Sequence, residues 1–221
     1  MESIEVAAIP SGILDYLSNT NKSFQRKPND YWVTDICKCL RQSYYQIAGT
    51  PVDNNIEPDI ESLWVLQSRK FLHNLTYAYK WRELDIEKEV QLDDGGKVKL
   101  HGRLDMYDYV KGNMIDLKTS NSIKWQLARG SIPRTCDIDQ IQCYGSLFSS
   151  LIKVSTLTLL YADLKDLIAF KVPLMDRSYW IRARIVRLSS ALVIAKHPPA
   201  AERSSRCDFC QYRKRCDEEK E

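Results

Sequence analysis

The sequence contains no uninterrupted apolar run approaching the ~20 residues that a bilayer-spanning helix needs. Its opening residues, Met1-Glu2-Ser3-Ile4-Glu5, lack the basic and apolar parts of a secretory signal. An intracellular, cytoplasmic protein without a membrane partner is therefore expected. Strong charge of one sign is also missing. The formal net charge is only +3, so any surface for nucleic acid must be local. Internal repeats and low-complexity tracts are absent, which argues against a solenoid or a disordered chain. The composition is ordinary for a globular protein, with 44% hydrophobic and 28% charged residues. At 221 residues the chain can build one sizeable core with room for a small appendage. Seven cysteines, an odd number, fit poorly with a disulfide framework in a reducing compartment.

The stretch from His101 to Thr119 is the most informative. Two alternating runs flank Lys111-Gly112-Asn113, whose Gly and Asn tolerate the positive φ of a tight turn. Side chains alternate along a strand, and directly opposed residues of an antiparallel pair share a face. Registers in which paired numbers sum to 221 or 223 place Asp105, Asp116 and Lys118 on one face. The same registers place Leu104, Met106, Ile115 and Leu117 on the other. Asp and Lys two apart are commonplace on a solvated strand. A second carboxylate across the hairpin, backed by four apolar residues, turns the pair into a candidate metal site. Hard divalent ions such as Mg prefer oxygen ligands and need only one or two carboxylates beside a substrate phosphate. A neighbouring ammonium can orient water or offset developing charge.

Around this hairpin the pattern gives a short helix capped by Ser11, a polar loop from Asn19 to Asp30, and a helix from Thr34 that stops at Gly49. A long helix follows from Glu57 to Trp81, with Ile60, Leu63, Trp64, Phe71, Leu72 and Leu75 in one stripe and His73 nearly opposite its centre. Leu84 to Leu92 and Lys97 to Tyr109 pair about Asp93-Asp94-Gly95-Gly96, extending the hairpin to a three-stranded meander. A short helix is expected over Asn121 to Gly130, and a longer one over Asp137 to Ile152. Gln140 and Tyr144 lie on one side of the longer helix. Two more strands, Lys153 to Tyr161 and Leu167 to Val172, precede a helix from Asp176 to about Lys196. This order describes an α/β sandwich around a mixed central sheet.

The tail holds a second constellation. Cys207, Cys210 and Cys216 can direct three thiolates at one metal centre, and a tetrahedral zinc or an iron–sulfur cluster needs a fourth ligand. Cys37, near a helix start, is the first candidate and Cys39 the second; spacing alone leaves zinc and iron–sulfur both open. Arg203, Arg206, Arg213, Lys214 and Arg215 concentrate positive charge there, suited either to phosphate contacts or to a solvated tail balanced by Asp217-Glu218-Glu219-Lys220-Glu221.

Taken together, the motifs resemble RecB-like members of the PD-(D/E)XK nuclease superfamily, and more narrowly the CRISPR-associated exonucleases (the fourth core Cas protein) that carry an iron–sulfur cluster. The likeness runs from Cys37 to Cys216. It includes His73, Gly102-Arg103-Leu104-Asp105, Asp116-Leu117-Lys118, Gln140-Ile141-Gln142-Cys143-Tyr144 and the triple Cys. Asp116 stands where many relatives have Glu, and the glycine often found before the family histidine is absent. The resemblance implies one nuclease domain over residues 1–221 with the restriction-endonuclease-like mixed sheet. Segments near 31–49 and 200–217 would join at the cluster. It implies Mg or Mn held by His73, Asp105, Asp116 and the carbonyl of Leu117, and Lys118 positioning the attacking water. Gln140 and Tyr144 would support Lys118 and contact DNA. A 4Fe–4S cluster would sit on Cys37, Cys207, Cys210 and Cys216, as a structural clamp. The implied activity is DNA cleavage at single-stranded ends, trimming spacer precursors with Cas integrase proteins. A repair or recombination nuclease with the same chemistry, and a zinc-stabilised, non-catalytic DNA-binding module, are the competing expectations.

Overall fold

The computed structural model describes residues 30–53, 60–92 and 95–219. The expected Ser11 helix, nearly all of the Asn19–Asp30 loop and the Asp93-Asp94 part of the expected turn lie outside the described residues, as do the side chains of Ile60, Leu63 and Trp64. Strand β1 (Asp30–Trp32) leads into helices α1 (Val33–Cys37) and α2 (Leu40–Ile47). Helix α3 (Ile60–His73) ends in a 3-10 turn, Asn74–Ala78. Strands β2 (Trp81–Gln91), β3 (Lys97–Asp108) and β4 (Asn113–Thr119) follow. Helices α4 (Ile123–Ala128) and α5 (Thr135–Phe148) precede β5 (Thr156–Ala162) and β6 (Leu167–Val172), and α6 (Ser178–Ser190) and α7 (Arg213–Glu218) close the chain.

The six strands form one mixed sheet in the order β1-β3-β4-β5-β6, with β2 also paired to β3. The β1–β3 and β4–β5 pairs are parallel and the others antiparallel. Parallel β4 and β5 need a long crossover, which α4 and α5 supply. The expected meander is present, and Met106↔Ile115, Tyr107↔Met114 and Asp108↔Asn113 realise the register that sums to 221. Gly112 sits at φ +63, and Asp108 Oδ1 accepts the N–H groups of Val110 and Lys111, both at 3.1 Å, which pins the turn.

Two apolar clusters hold the layers together. The larger gathers Leu100, Leu104, Met114, Leu157 and Leu159 from the sheet with Val33, Ile36, Ile141, Leu147, Ile181 and Ile185 from α1, α5 and α6. The smaller packs Leu72 of α3 on Met106, Ile115, Leu117 and Ala162. Leu104 was expected beside Met106 and instead joins the larger cluster, because the side-chain alternation of β3 is interrupted at Asp105. The helix expected from Thr34 to Gly49 is two helices, broken at Lys38, which is extended, and at Cys39, which leaves the helical conformation. The long helix expected to reach Trp81 stops at His73, and α6 passes through a π turn, Ala191–Ala195, to a left-handed Lys196. No helix among the described residues is long and apolar enough to cross a membrane.

The C-terminal segment docks on α2 directly. Arg41 donates to the carbonyls of Pro199 (2.7 Å) and Glu219 (3.0 Å), and Tyr45 donates to Glu219 Oε2 at 2.6 Å. The Asp53 N–H donates to the Gln211 carbonyl at 2.9 Å, and the Arg215 N–H to Asp53 Oδ2 at 3.2 Å.

Candidate active site

The ladders that join β3 to β2 and to β4 both open at Asp105. The β2–β3 register runs through Arg82↔Met106 and Leu84↔Leu104 but omits Glu83 opposite Asp105, and the β3–β4 register stops at Met106↔Ile115. In place of a backbone partner, the Leu117 N–H donates to Asp105 Oδ2 at 2.6 Å. The splayed strands thus leave room between them, and the Asp105 carboxylate satisfies an amide that would otherwise be orphaned.

Asp116 lies beside this opening with only 2% of its surface exposed. Lys118 Nζ is 2.7 Å from Asp116 Oδ2, although no aligned hydrogen bond reaches that oxygen. The same ammonium donates to Gln140 Oε1 at 2.9 Å, and Gln140 Nε2 donates to the Tyr144 hydroxyl at 3.0 Å. Residues four apart on α5 face the same way, so the helix presents Gln140 and Tyr144 together to β4. Burial pushes the Asp116 carboxyl up to about 7; Lys118 opposes this and Asp105 adds to it. For Lys118, burial works against the charge, but Asp116 and Asp137 outweigh it and the amine is held above its usual value. Burial also raises the Tyr144 phenol, which is therefore neutral at ordinary pH.

His73, at the end of α3, is flanked by two carboxylates. Its Nε2 is 3.6 Å from Asp105 Oδ1 and its Nδ1 is 3.5 Å from Glu83 Oε1. Contact with Asp105 raises the imidazole pKa, burial opposes the rise, and Glu83 adds to it. Ligand atoms of His73, Glu83 and Asp105 all lie within 4.8 Å of one another. The oxygen-rich set around Asp105 and Asp116, with one imidazole, matches the preferences of Mg and Mn.

His73, Asp105, Asp116, Leu117, Lys118, Gln140 and Tyr144 therefore fall in one neighbourhood. Sequence reasoning missed Glu83, one acid in an acidic strand, whose φ of +51 only coordinates reveal. It also missed Asp137, which accepts from Arg134 Nε at 2.7 Å and from the Tyr161 hydroxyl while favouring the charged form of Lys118.

The surroundings of Cys37 and Cys39 differ. Cys37 Sγ sits 3.8 Å from Cys143 Sγ in the larger core, and burial followed by Cys143 pushes its thiol well above the usual range. Cys37, Cys39, Cys136, Cys207, Cys210 and Cys216 all border one cavity of about 590 Å³. Burial raises the Cys210 thiol, and Cys39, Cys207 and Cys216 raise it further. Arg203 and Arg213 both pair with Asp217, at 2.7 and 2.6 Å, which neutralises part of the basic tail.

A profile described as the PD-(D/E)XK nuclease superfamily matches residues 35–217. The chain belongs to this superfamily. Its mixed sheet flanked by helices is that of the PD-(D/E)XK fold, and superfamily membership makes a nuclease acting on DNA the general reading. The crystal structure of SSO0001 is similar at a TM-score of 0.63 and 22% identity, over 91% of this chain and 93% of that one, which shows a shared fold. A phage-related exonuclease from Haemophilus somnus 129PT aligns at a TM-score of 0.38 and 12% identity, over 73% of this chain and 91% of that one. No curated protein matches the sequence significantly.

Proposed function

We propose that this PD-(D/E)XK protein is a Mg- or Mn-dependent exonuclease that trims single-stranded DNA ends, in the setting of CRISPR spacer acquisition beside Cas integrase proteins. The observation that carries the reading is the buried Asp116–Lys118 pair, 2.7 Å apart, locked to Gln140 and within electrostatic reach of Asp105. A carboxylate so buried that its pKa reaches about 7 is an acceptor waiting for positive charge beyond the one ammonium beside it.

Asp105, Asp116, the carbonyl of Leu117 and His73 would hold the cation. When bound, it would polarise a phosphoryl oxygen and make water acidic enough to attack near neutral pH. The chain's own groups do the rest. Lys118 stays protonated against Asp116 and Asp137, and Gln140 restricts its ammonium to one position, leaving a donor hydrogen for the attacking or phosphoryl oxygen. The Tyr144 hydroxyl, buried and neutral, accepts from Gln140 Nε2 and so fixes that amide. Burial of the pair excludes bulk water, which strengthens each of these contacts.

The same reading includes a 4Fe–4S cluster in the thiol-lined cavity, with Cys39 in place of Cys37 beside Cys207, Cys210 and Cys216. Cys39, Cys207 and Cys216 all bear on the Cys210 thiol and border the same cavity, which supports the choice, and a soft thiolate set suits iron–sulfur or zinc.

End-labelled single-stranded DNA, incubated with Mg or Mn or with chelator, tests the proposal. Wild type should shorten the label only with the metal, and Asp116→Ala and Lys118→Ala should leave it intact. Metal-independent cleavage, or cleavage that persists in both variants, would remove this site from the chemistry.

A further inference from the structure

We infer that Glu83 is a positioning residue for the cation site: its carboxylate accepts the Nδ1 proton of His73 and so turns Nε2 toward Asp105. The inference rests on the proposed role of His73 and Asp105 as cation ligands.

The imidazole offers its two nitrogens to two different carboxylates, Nε2 to Asp105 Oδ1 at 3.6 Å and Nδ1 to Glu83 Oε1 at 3.5 Å. A cation sharing Asp105 takes the lone pair of Nε2, which requires the proton on Nδ1. A metal-bound histidine ordinarily gives that second N–H to a carboxylate or carbonyl, which sets its tautomer and ring orientation. Glu83 is placed for this task. The 3.5 Å separation is an ion-pair distance that a sub-ångström shift converts to a hydrogen bond.

Direct ligation by Glu83 is the rival arrangement, because its carboxylate is within 4.8 Å of the other two ligand atoms. The contacts favour positioning. Oε1 faces the far side of the His73 ring from Asp105, and Oε2 faces Arg103 Nε at 3.9 Å. Arg103 is anchored in turn by Asp85, at 2.7 and 3.3 Å. Glu83 is thus strung between His73 and a fixed arginine. Its backbone sits at φ +51, in the left-handed region that non-glycine residues seldom occupy, at the point where it drops out of the β2–β3 ladder.

The test measures Mn affinity, by electron paramagnetic resonance of the free ion, for the full chain and for His73→Ala, Glu83→Ala, Glu83→Gln, Asp105→Asn and the double variant His73→Ala/Glu83→Ala. Glu83→Ala should weaken binding by about 10–100-fold. Glu83→Gln should recover most of that loss, since its amide oxygen can accept the Nδ1 proton, and the double variant should bind no worse than His73→Ala. Nitrogen-15 spectra, simplified by the presence of only three histidines, should show His73 of the Mg-loaded wild type protonated at Nδ1. This spectrum needs no variant and stands even if Glu83→Ala fails to fold. An Nε2-protonated ring, an unchanged affinity in Glu83→Ala, or losses that add in the double variant would overturn the inference. If Asp105→Asn also binds Mn like wild type, the cation site itself falls; a loss there with none in Glu83→Ala removes only the role of Glu83.

Discussion

Gly102 lies directly against the ring of Tyr144: a Cβ built on it would stand 2.9 Å from Tyr144 Cε1. Ile86 Cγ2 at 3.1 Å and Val33 Cγ2 at 3.2 Å close the other sides. The missing side chain in β3 is the space that lets α5 bring Tyr144, and through it Gln140, up to Lys118.

Gly102→Ala should therefore cost about 1–3 kcal/mol by overpacking, read as a lower urea midpoint, and should slow cleavage because Tyr144 is pushed off Gln140. Tyr144→Leu in the same chain should restore part of the stability but not the rate. Wild-type stability in Gly102→Ala would show that the ring yields freely.

Lys118→Ala removes the ammonium that Gln140 and Asp116 hold, and single-turnover cleavage should fall by about 10²–10⁴-fold. Lys118→Arg should not rescue it, because a planar fork replaces a point charge in a fitted, buried position. Comparable rates for Arg and Lys would mean that charge alone suffices.

Proton linkage at Asp116 has a definite sign. Its folded pKa, about 7, lies above the ordinary carboxylate value of 3.8, so the folded state binds more protons between those limits. Stability of the metal-free protein should fall as pH rises from about 4 to 7 and level off above. Asp116→Asn should remove that slope in thermal scans. Because a cation competes with the same proton, Mn affinity measured calorimetrically should be weaker at pH 6 than at pH 8.

Cys39→Ser should abolish iron binding and the brown colour, whereas Cys37→Ser should keep both. The Cys37 change puts a hydroxyl against Cys143 in an apolar core and should instead cost about 1–3 kcal/mol in unfolding experiments. Retained iron in Cys39→Ser with loss in Cys37→Ser would reverse the assignment.

The hairpin register was legible because strand alternation and Gly112 jointly restrict it, and it brings Asp116 and Lys118 to one face, while Asp105 joins them where the ladder ends, through its bond to the Leu117 N–H. The misplacement of Leu104 has a physical origin. Alternation is a local rule, and the opening of both ladders at Asp105 breaks it just where the site needs room. Glu83 was hidden for the same reason, since its approach to His73 depends on a backbone conformation that glutamate does not advertise. The choice of Cys37 ahead of Cys39 rested on a helical pattern that runs unbroken from Thr34 to Ile47, and the extended Lys38 that separates the two thiols is not written in that pattern. The Lys118–Gln140–Tyr144 relay needed a contact between β4 and α5 that no periodicity encodes.

The contacts of Arg41, Tyr45 and Asp53 with the last twenty or so described residues act as a buckle made of the protein's own donors and acceptors. If the proposed cluster is bound, removing its iron should bleach the protein without letting the strap fly open, and a protease should find the tail as hard to grip after bleaching as before.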